Sequence, residues 1–345
     1  MTRTTDPGRH TTLYSILAVA LLIWGAFGAL DITKQPYTGY TLSADNIVTQ
    51  VRPGGPLAAA GLKVGDTVTQ IDGRPVESVA AFFERGRPAI GSQGSLAITR
   101  GGTAQTLTFT YAEQPTSDLL AGSGINVVIG LAFVILGLAV YLKRQTRLSS
   151  LLCAVSLMLG FLYLPAPFLA AAGLRQVATA LIQFVVGVAL ATLLYYCLSF
   201  PRTKELLASR PWLRLAIFIL APLVGLIFAF IDLTTPDVSA SNSMVLSYLA
   251  GVVYGGYVLL AIVAVIVSAV KASTAERSTA GLNLILLGIL IGWGPLVISI
   301  LYHTLVPYAG DLPGERFWGI TAIALPIGMS LALMRLERGP SAART

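Results

Sequence analysis

The chain has 345 residues, of which 55% are hydrophobic and only 11% charged. A water-soluble globular domain carries about 25% charged residues, so most of this chain does not face water. A net charge of +7 would suit nucleic acid or anionic lipid, but the placement of the basic residues gives them another task. The two cysteines, Cys153 and Cys197, fall in apolar runs, which excludes a disulfide framework and a zinc-ligand spacing.

Eight apolar runs approach the roughly 20 residues that span a bilayer. They cover 13–30, 122–142, 149–172, 177–200, 213–231, 245–270, 280–304 and 316–334. The one long polar interval is 31–118. The expected fold class is therefore a membrane protein, an α-helical bundle of one N-terminal helix plus seven, carrying a β-rich soluble domain. Its parts are a leader 1–12, a helix 13–30, the cassette 31–118, a bundle 119–336 and a tail 337–345. Pro165, Pro167, Pro222, Pro295 and Pro326 lie inside the apolar runs. Membrane helices tolerate proline when neighbours re-satisfy the backbone, so kinks are expected rather than breaks.

Orientation follows from the lysines and arginines of the connecting segments. With the N-terminus taken as cytoplasmic, the cytoplasmic segments collect fourteen basic residues, among them Lys143, Arg144, Arg202, Lys204, Lys271 and Arg335. The opposite short segments hold three: Lys34, Arg175 and Arg316. The six basic residues of the cassette itself are set aside, because long translocated segments escape the rule. Both termini are thus expected on the cytoplasmic side of the membrane and the cassette on the opposite side. No basic patch is left over for nucleic acid. Arg3 and Arg9 ahead of the first apolar run also fit a secretory signal, but 18 apolar residues exceed the usual signal core of about 7–15, which favours an uncleaved anchor.

Within the cassette, Asn46–Val51 alternates apolar and polar residues, as a half-buried strand does. The stretch from Leu57 to Asp66 makes a helical turn ended by Gly61. Residues 66–73 form a strand closed by Asp72-Gly73, a strong hairpin signal. Residues 77–87 form a short amphipathic helix presenting Val79, Phe82 and Phe83, and residues 95–112 a hairpin around Gly101-Gly102. The succession "VRPGGPLAAAGLKVGDTVTQIDGRPV" (Val51–Val76) resembles bacterial PDZ domains, and the likeness extends over about 37–112.

That resemblance implies binding of a partner's peptide as an added strand. The loop that would receive the chain end is Tyr37-Thr38-Gly39-Tyr40. Gly39 and Tyr40 match the family pattern, whereas Tyr37 and Thr38 replace its usual glycine-leucine start. Backbone N–H groups of Gly39, Tyr40 and Thr41 would hold the chain end. Tyr40, Leu42, Val79 and Phe83 would line the adjoining apolar pocket, Val79 and Phe83 sharing one helix face. The same aromatic and aliphatic residues would equally serve as the core of a domain used only as a spacer.

Catalytic readings find little support. An intramembrane metalloprotease needs a pattern such as H-E-x-x-H, and the chain has two histidines, His10 and His303. Ser299 and His303 share a helix face at i, i+4, but a hydroxyl bonded to its own helix and an interfacial histidine account for them. Ionisable residues at mid-span would mark a proton path, and none is present. Asn126, Gln183 and Asn283 are the clearest polar residues within the runs, expected to join helices. No cofactor or metal is expected.

The stretches Leu193–Leu213, Glu276–Leu301 and Ala324–Glu337 resemble the multi-helix membrane regions of PDZ-bearing bacterial sensor histidine kinases. A kinase is not expected after them, since the stretch beyond Arg335 carries no phosphoacceptor histidine and no ATP-binding glycine loop. The expectation is a receptor-like membrane protein that binds a peptide or protein segment and relays its state through the bundle to a separate signalling partner. An envelope scaffold that tethers a protein through the PDZ domain is the alternative, and a transporter or channel a third.

Overall fold

The computed structural model describes residues 7–43, 45–76, 86–234, 244–305 and 312–336. Helix α1 spans Pro7–Ile32. The cassette contains β1 (Pro36–Tyr37), β2 (Tyr40–Leu42), β3 (Val48–Val51), a short helix α2 (Pro56–Ala59), β4 (Thr67–Ile71), β5 (Arg74–Pro75), β6 (Gln93–Arg100), β7 (Thr103–Thr110) and β8 (Ala112–Glu113). Helix α3 (Thr116–Lys143) contains a π turn at Leu120–Gly124. There follow α4 (Arg147–Tyr163), α5 (Ala172–Ser199), α6 (Glu205–Ser209), α7 (Trp212–Thr234), α8 (Met244–Lys271), α9 (Thr274–Thr279) and α10 (Leu282–Leu305). A 3-10 helix, Glu315–Ile323, runs directly into α11 (Ala324–Leu336).

Among the described residues seven helical segments are long and apolar enough to cross a membrane. The third apolar run, 149–172, departs from expectation. Helix α4 stops at Tyr163 after 17 residues, so Pro165 and Pro167 end it rather than kink it. A proline restricts the residue before it to extended backbone, and Leu164 has φ −68 and ψ 133. The extended segment beyond lies against α1, where Pro165 and Leu164 sit over Gly28 and Gly25. Pro222 and Pro295 do lie within helices. Pro326 lies just after the junction of the 3-10 helix with α11.

The cassette folds for local reasons that its turns make plain. Asp72 and Gly73 both take positive φ, 51° and 74°, the twist that joins two antiparallel strands in two residues. The Asp72 carboxylate accepts from the Ser95 N–H at 2.9 Å and the Tyr111 hydroxyl at 2.7 Å, which secures the turn to β6. Gly101 and Gly102 repeat the device between β6 and β7. The sheet order is β5-β4-β6-β7, with β2-β3 and β1-β8 as separate pairs. Val48, Leu57, Leu62, Val68, Leu96, Ile98, Phe109 and Tyr111 form its buried core.

In the bundle, glycine sets how closely helices approach. Helices α5 and α7 cross at Gly187 and Gly225. A β-carbon on Gly187 would lie 2.4 Å from the Ala221 carbonyl oxygen, and one on Gly225 2.5 Å from that of Gln183. Helices α10 and α11 meet in the same way through Gly288 and Gly328. The expected amide links are not how the helices join: Asn126 and Asn283 lie on exposed faces and Gln183 is half-buried. Where backbones touch, no volume remains for an amide. The Ser299 hydroxyl likewise bonds across to Glu315 rather than to its own helix, tying α10 to the 3-10 helix. The side chain of His303 lies outside the described residues.

Gly225→Leu should lower the stability of the detergent-solubilised protein by about 1–3 kcal/mol, the cost of overpacking. Gly251→Leu, whose β-position in α8 opens on empty space, should change it by less than about 0.5 kcal/mol. Thermal unfolding of the two variants compared side by side checks this.

Candidate functional site

The loop between β1 and β2 is shaped by one glycine and two backbone bonds. Gly39 has φ +78, a conformation that side chains resist. A β-carbon there would also lie 3.3 Å from the Gly55 Cα and from the Tyr37 ring. The Arg52 N–H donates to the Gly39 carbonyl at 2.8 Å and the Leu57 N–H to the Thr38 carbonyl at 3.3 Å, so the loop rests on the start of α2. Strand β2 leaves it and pairs antiparallel with β3, Tyr40 opposite Val51 and Thr41 opposite Gln50, with an irregularity before Leu42. Among the described residues no strand pairs with the other edge of β2.

The sequence-derived site residues are distributed unevenly. Gly39, Tyr40 and Thr41 line one cavity of about 440 Å³. Leu42 does not; it is half-buried against the cassette core, and Tyr40 packs there too. Thr41 turns the opposite way and shares a hydrogen bond with Thr49 across the hairpin. Val79 and Phe83 lie outside the described residues, as does Phe82.

The cavity has walls that sequence reasoning missed. Besides the loop and Gln50 it is lined by Arg52, Gln114, Asp118, Gly122 and Arg316, so the cassette supplies one side and the bundle the other. Asp118, in the first turn of α3, is the point where they meet. The Tyr37 hydroxyl donates to its Oδ2 at 3.4 Å. Arg52 stands 4.0 Å from Oδ2 and Arg316 3.6 Å from Oδ1. Desolvation and the Asp118 charge hold the Tyr37 phenol above its ordinary range. Asp118 is remote from its partners in sequence, and nothing in the chain's local pattern marks it.

A second contact secures the far side of the cassette. The Arg87 guanidinium lies 3.6 Å from the Asp31 carboxylate and 4.2 Å from the centre of the Phe168 ring. Phe168 donates its N–H to the Asp31 carboxylate at 2.9 Å. Arg175 lies over the same ring at 5.0 Å. Arg87 immediately follows the 77–86 segment, so the cassette touches the bundle both at its loop and beside that segment.

Inside the cassette a buried ion pair holds the "GD" turn. Asp66 is 2% exposed and accepts from the Arg100 Nε and Nη2, at 2.7 and 2.6 Å, together with the Lys63 N–H at 2.8 Å. The carbonyl of Asp66 in turn accepts from the Val48 N–H at 2.8 Å, which brings β3 to the sheet. The hydrogen bonds from Arg100 hold the Asp66 carboxyl below its usual range.

Comparison with known proteins identifies the domain of the cassette. Residues 47–93 match the PDZ domain family. A stretch of 73 residues is 36% identical to the periplasmic serine endoprotease DegP of Salmonella typhimurium, covering 21% of this chain and 15% of that protein. Another of 77 residues is 35% identical to a probable DegP-like periplasmic serine endoprotease of Halomonas elongata, covering 22% and 16%. The chain thus spans less than a fifth of the length of these curated relatives. It carries a PDZ domain with distant DegP-type homology.

Asp66→Asn should destabilise the cassette by about 2 kcal/mol, the loss of charge-assisted bonds at a buried acceptor. The wild-type contribution has a defined pH window. The folded carboxyl titrates below the unfolded one, near pH 4, so the stabilisation is complete above that value and lost as pH falls through the depressed folded one. Amide exchange at Val48 and Lys63 in the whole protein reads both effects: faster for the variant at neutral pH, with the difference closing in acid.

Proposed function

We propose that this protein is a receptor-like component of a bacterial inner membrane. Its PDZ domain, on the extracytoplasmic side, binds a peptide or protein segment as an added strand. The helical bundle passes the bound state to a separate signalling partner. The observation that carries the reading is that β2, next to the Gly39 loop, pairs with β3 alone among the described strands, with the loop in direct contact with the bundle through Tyr37 and Asp118. Strand addition draws affinity from main-chain bonds and specificity from neighbouring pockets, and an unpaired edge in a small domain is what it requires. The relay part rests on the two contact points, Asp118 and Asp31, which flank the domain and connect it to different helices. It also draws support from the resemblance of the bundle to sensor-kinase membrane regions. Extracytoplasmic placement is supported by fourteen against three basic residues in the short connections and by the periplasmic character of the DegP relatives.

Orientation has a direct test. Cys153 and Cys197 are both buried, so background labelling is low. A cysteine replacing Lys63, exposed in the cassette, should react with a membrane-impermeant maleimide in cells with a permeabilised outer membrane. One replacing Arg210, exposed beyond α6, should react only after lysis. The reverse pattern would sink the placement.

Peptide binding is tested with the whole protein in lipid nanodiscs and a fluorescent pool of random hexapeptides. Gly39→Val forces a branched side chain into a backbone that costs about 1–3 kcal/mol for non-glycine residues. It should weaken retention of the pool about tenfold or more. Phe83→Ala should weaken it by a few kcal/mol if that ring anchors the ligand, as buried aromatic hot spots do. Unchanged retention in both variants would defeat the groove reading.

A further inference from the structure

The cavity between the cassette and the bundle stands at the depth where a bilayer carries its headgroups. Helix α3 has 28 residues, Thr116–Lys143, and at 1.5 Å each it is about 42 Å long. A hydrocarbon core is about 30 Å thick and takes about 20 helical residues. Counted back from Lys143, whose charge belongs at the far boundary, those residues end near Gly124. The turns before it then stand in the headgroup layer, and Asp118, Ala121 and Gly122 of the cavity wall belong to them. Arg316 fits the same level, because with Arg335 it marks the two ends of the span Glu315–Leu336. Leu120, next to Ala121 in the chain, is 59% exposed and offers an apolar side chain at this depth.

The charged walls are Arg52 from the cassette, Arg316 from the 3-10 helix and Asp118 from α3. Neither arginine is within hydrogen-bond reach of the carboxylate. The separations are 4.0 and 3.6 Å, against 2.6 Å for the Arg100–Asp66 pair. The carboxylate is enclosed, at 14% exposure, while the two guanidiniums are presented, at 35% and 43%. Two positive charges against one negative leave a single positive charge to balance. The volume of about 440 Å³ lies within the range of small-ligand pockets, roughly 300–1,000 Å³. Gly122, in the π turn of α3, has open space where a side chain would stand, and such turns frequently occur at functional positions.

We propose that this cavity binds the phosphodiester of an anionic phospholipid, with Arg52 and Arg316 on the phosphate oxygens and the acyl chains in the bilayer beside α3. The inference goes beyond peptide binding at β2 and does not depend on it. The planar fork of arginine matches phosphate oxygens, and basic pockets among membrane helices hold lipid headgroups. A phosphodiester brings one negative charge, which the walls balance. A phosphate monoester carries about 1.5 to 2 at neutral pH, more than the walls can neutralise. Asp118 keeps its bond from the Tyr37 hydroxyl and remains between the two cations, which holds them apart for the phosphate. A bound lipid then joins the cassette, α3 and the 3-10 helix at one point.

The test uses the whole protein in a maltoside detergent and reads phenylglyoxal modification of Arg52 and Arg316 by peptide mass spectrometry. Dioctanoyl phosphatidylglycerol should slow the reaction at both arginines about tenfold once nine sites in ten are filled. Dioctanoylglycerol, which has the chains without the phosphate, should protect neither. Inorganic phosphate and glycerophosphoglycerol, which have no chains, should protect only at far higher concentration. Arg52→Gln should abolish protection of Arg316, and Arg316→Gln that of Arg52, because one phosphate serves both. Gly122→Leu fills part of the open space without changing a charge. It should abolish protection at both arginines and leave thermal unfolding in the absence of lipid unchanged, which keeps the test intact if an arginine variant fails to fold. Equal protection by dioctanoylglycerol would overturn the phosphate assignment. Equal protection by inorganic phosphate would overturn the lipid, leaving a soluble anion as the occupant. Undiminished protection in Gly122→Leu, or none in the unsubstituted protein, would overturn the site.

Discussion

The cassette is an insertion, and its two ends have to meet. The chain leaves α1 at Ile32 and enters α3 at Thr116, so all that lies between must close over one end of the helices. Strands β1 and β8 make the closure, Pro36 opposite Glu113 and Tyr37 opposite Ala112. A ladder of two residue pairs has little stability of its own. It holds because a carboxylate stands beside each of its ends. Asp31 at the end of α1 engages Phe168, Lys34 and Arg87, and Asp118 at the start of α3 engages Tyr37, Arg52 and Arg316. The placement of the PDZ domain on the bundle depends on this clasp.

The clasp also explains why the loop between β1 and β2 departs from the family pattern where it does. Tyr37 is at once a residue of β1 and the first residue of the loop, so its side chain serves the closure. Its hydroxyl reaches Asp118, and its ring covers Gly39. A glycine at this position would leave the loop without its contact to α3. The loop and the junction with the bundle therefore share one residue, Tyr37.

The bundle is held together by different means. In lipid there is no hydrophobic gain when apolar helices associate, so close packing and a few polar bonds decide the arrangement. Gly187 with Gly225 and Gly288 with Gly328 allow backbone contact between neighbouring helices. The Tyr257 hydroxyl donates to the Ile217 carbonyl at 2.8 Å, joining α8 to α7. Arg147 bonds to Tyr195 and Lys204 to Ser268. Capping boxes at Thr146 and Ser273 begin α4 and α9 as the chain emerges from an apolar run.

Much of this was legible in the chain alone, because the signals are local. Apolar runs of bilayer length specify helices wherever backbone bonds must close within a segment. Asp72-Gly73 and Gly101-Gly102 specify hairpins because their backbone twist is a property of two residues. The "AGLKVGD" pattern located Asp66 and the PDZ domain, although Arg100, its partner, is 34 residues away. What the sequence could not decide is whatever depends on elements meeting. Proline can kink or end a helix, and only the packing of Leu164, Pro165 and Phe168 against α1 settles that Pro165 ends one. Asn126 and Asn283 look like interior polar residues until the helix faces are placed. Tyr37 and Asp118 are 81 residues apart, and Arg316 lies nearly two hundred residues beyond Asp118. No periodicity or spacing connects them, because the contact exists only once an inserted domain has closed its ends over the helices that carry it.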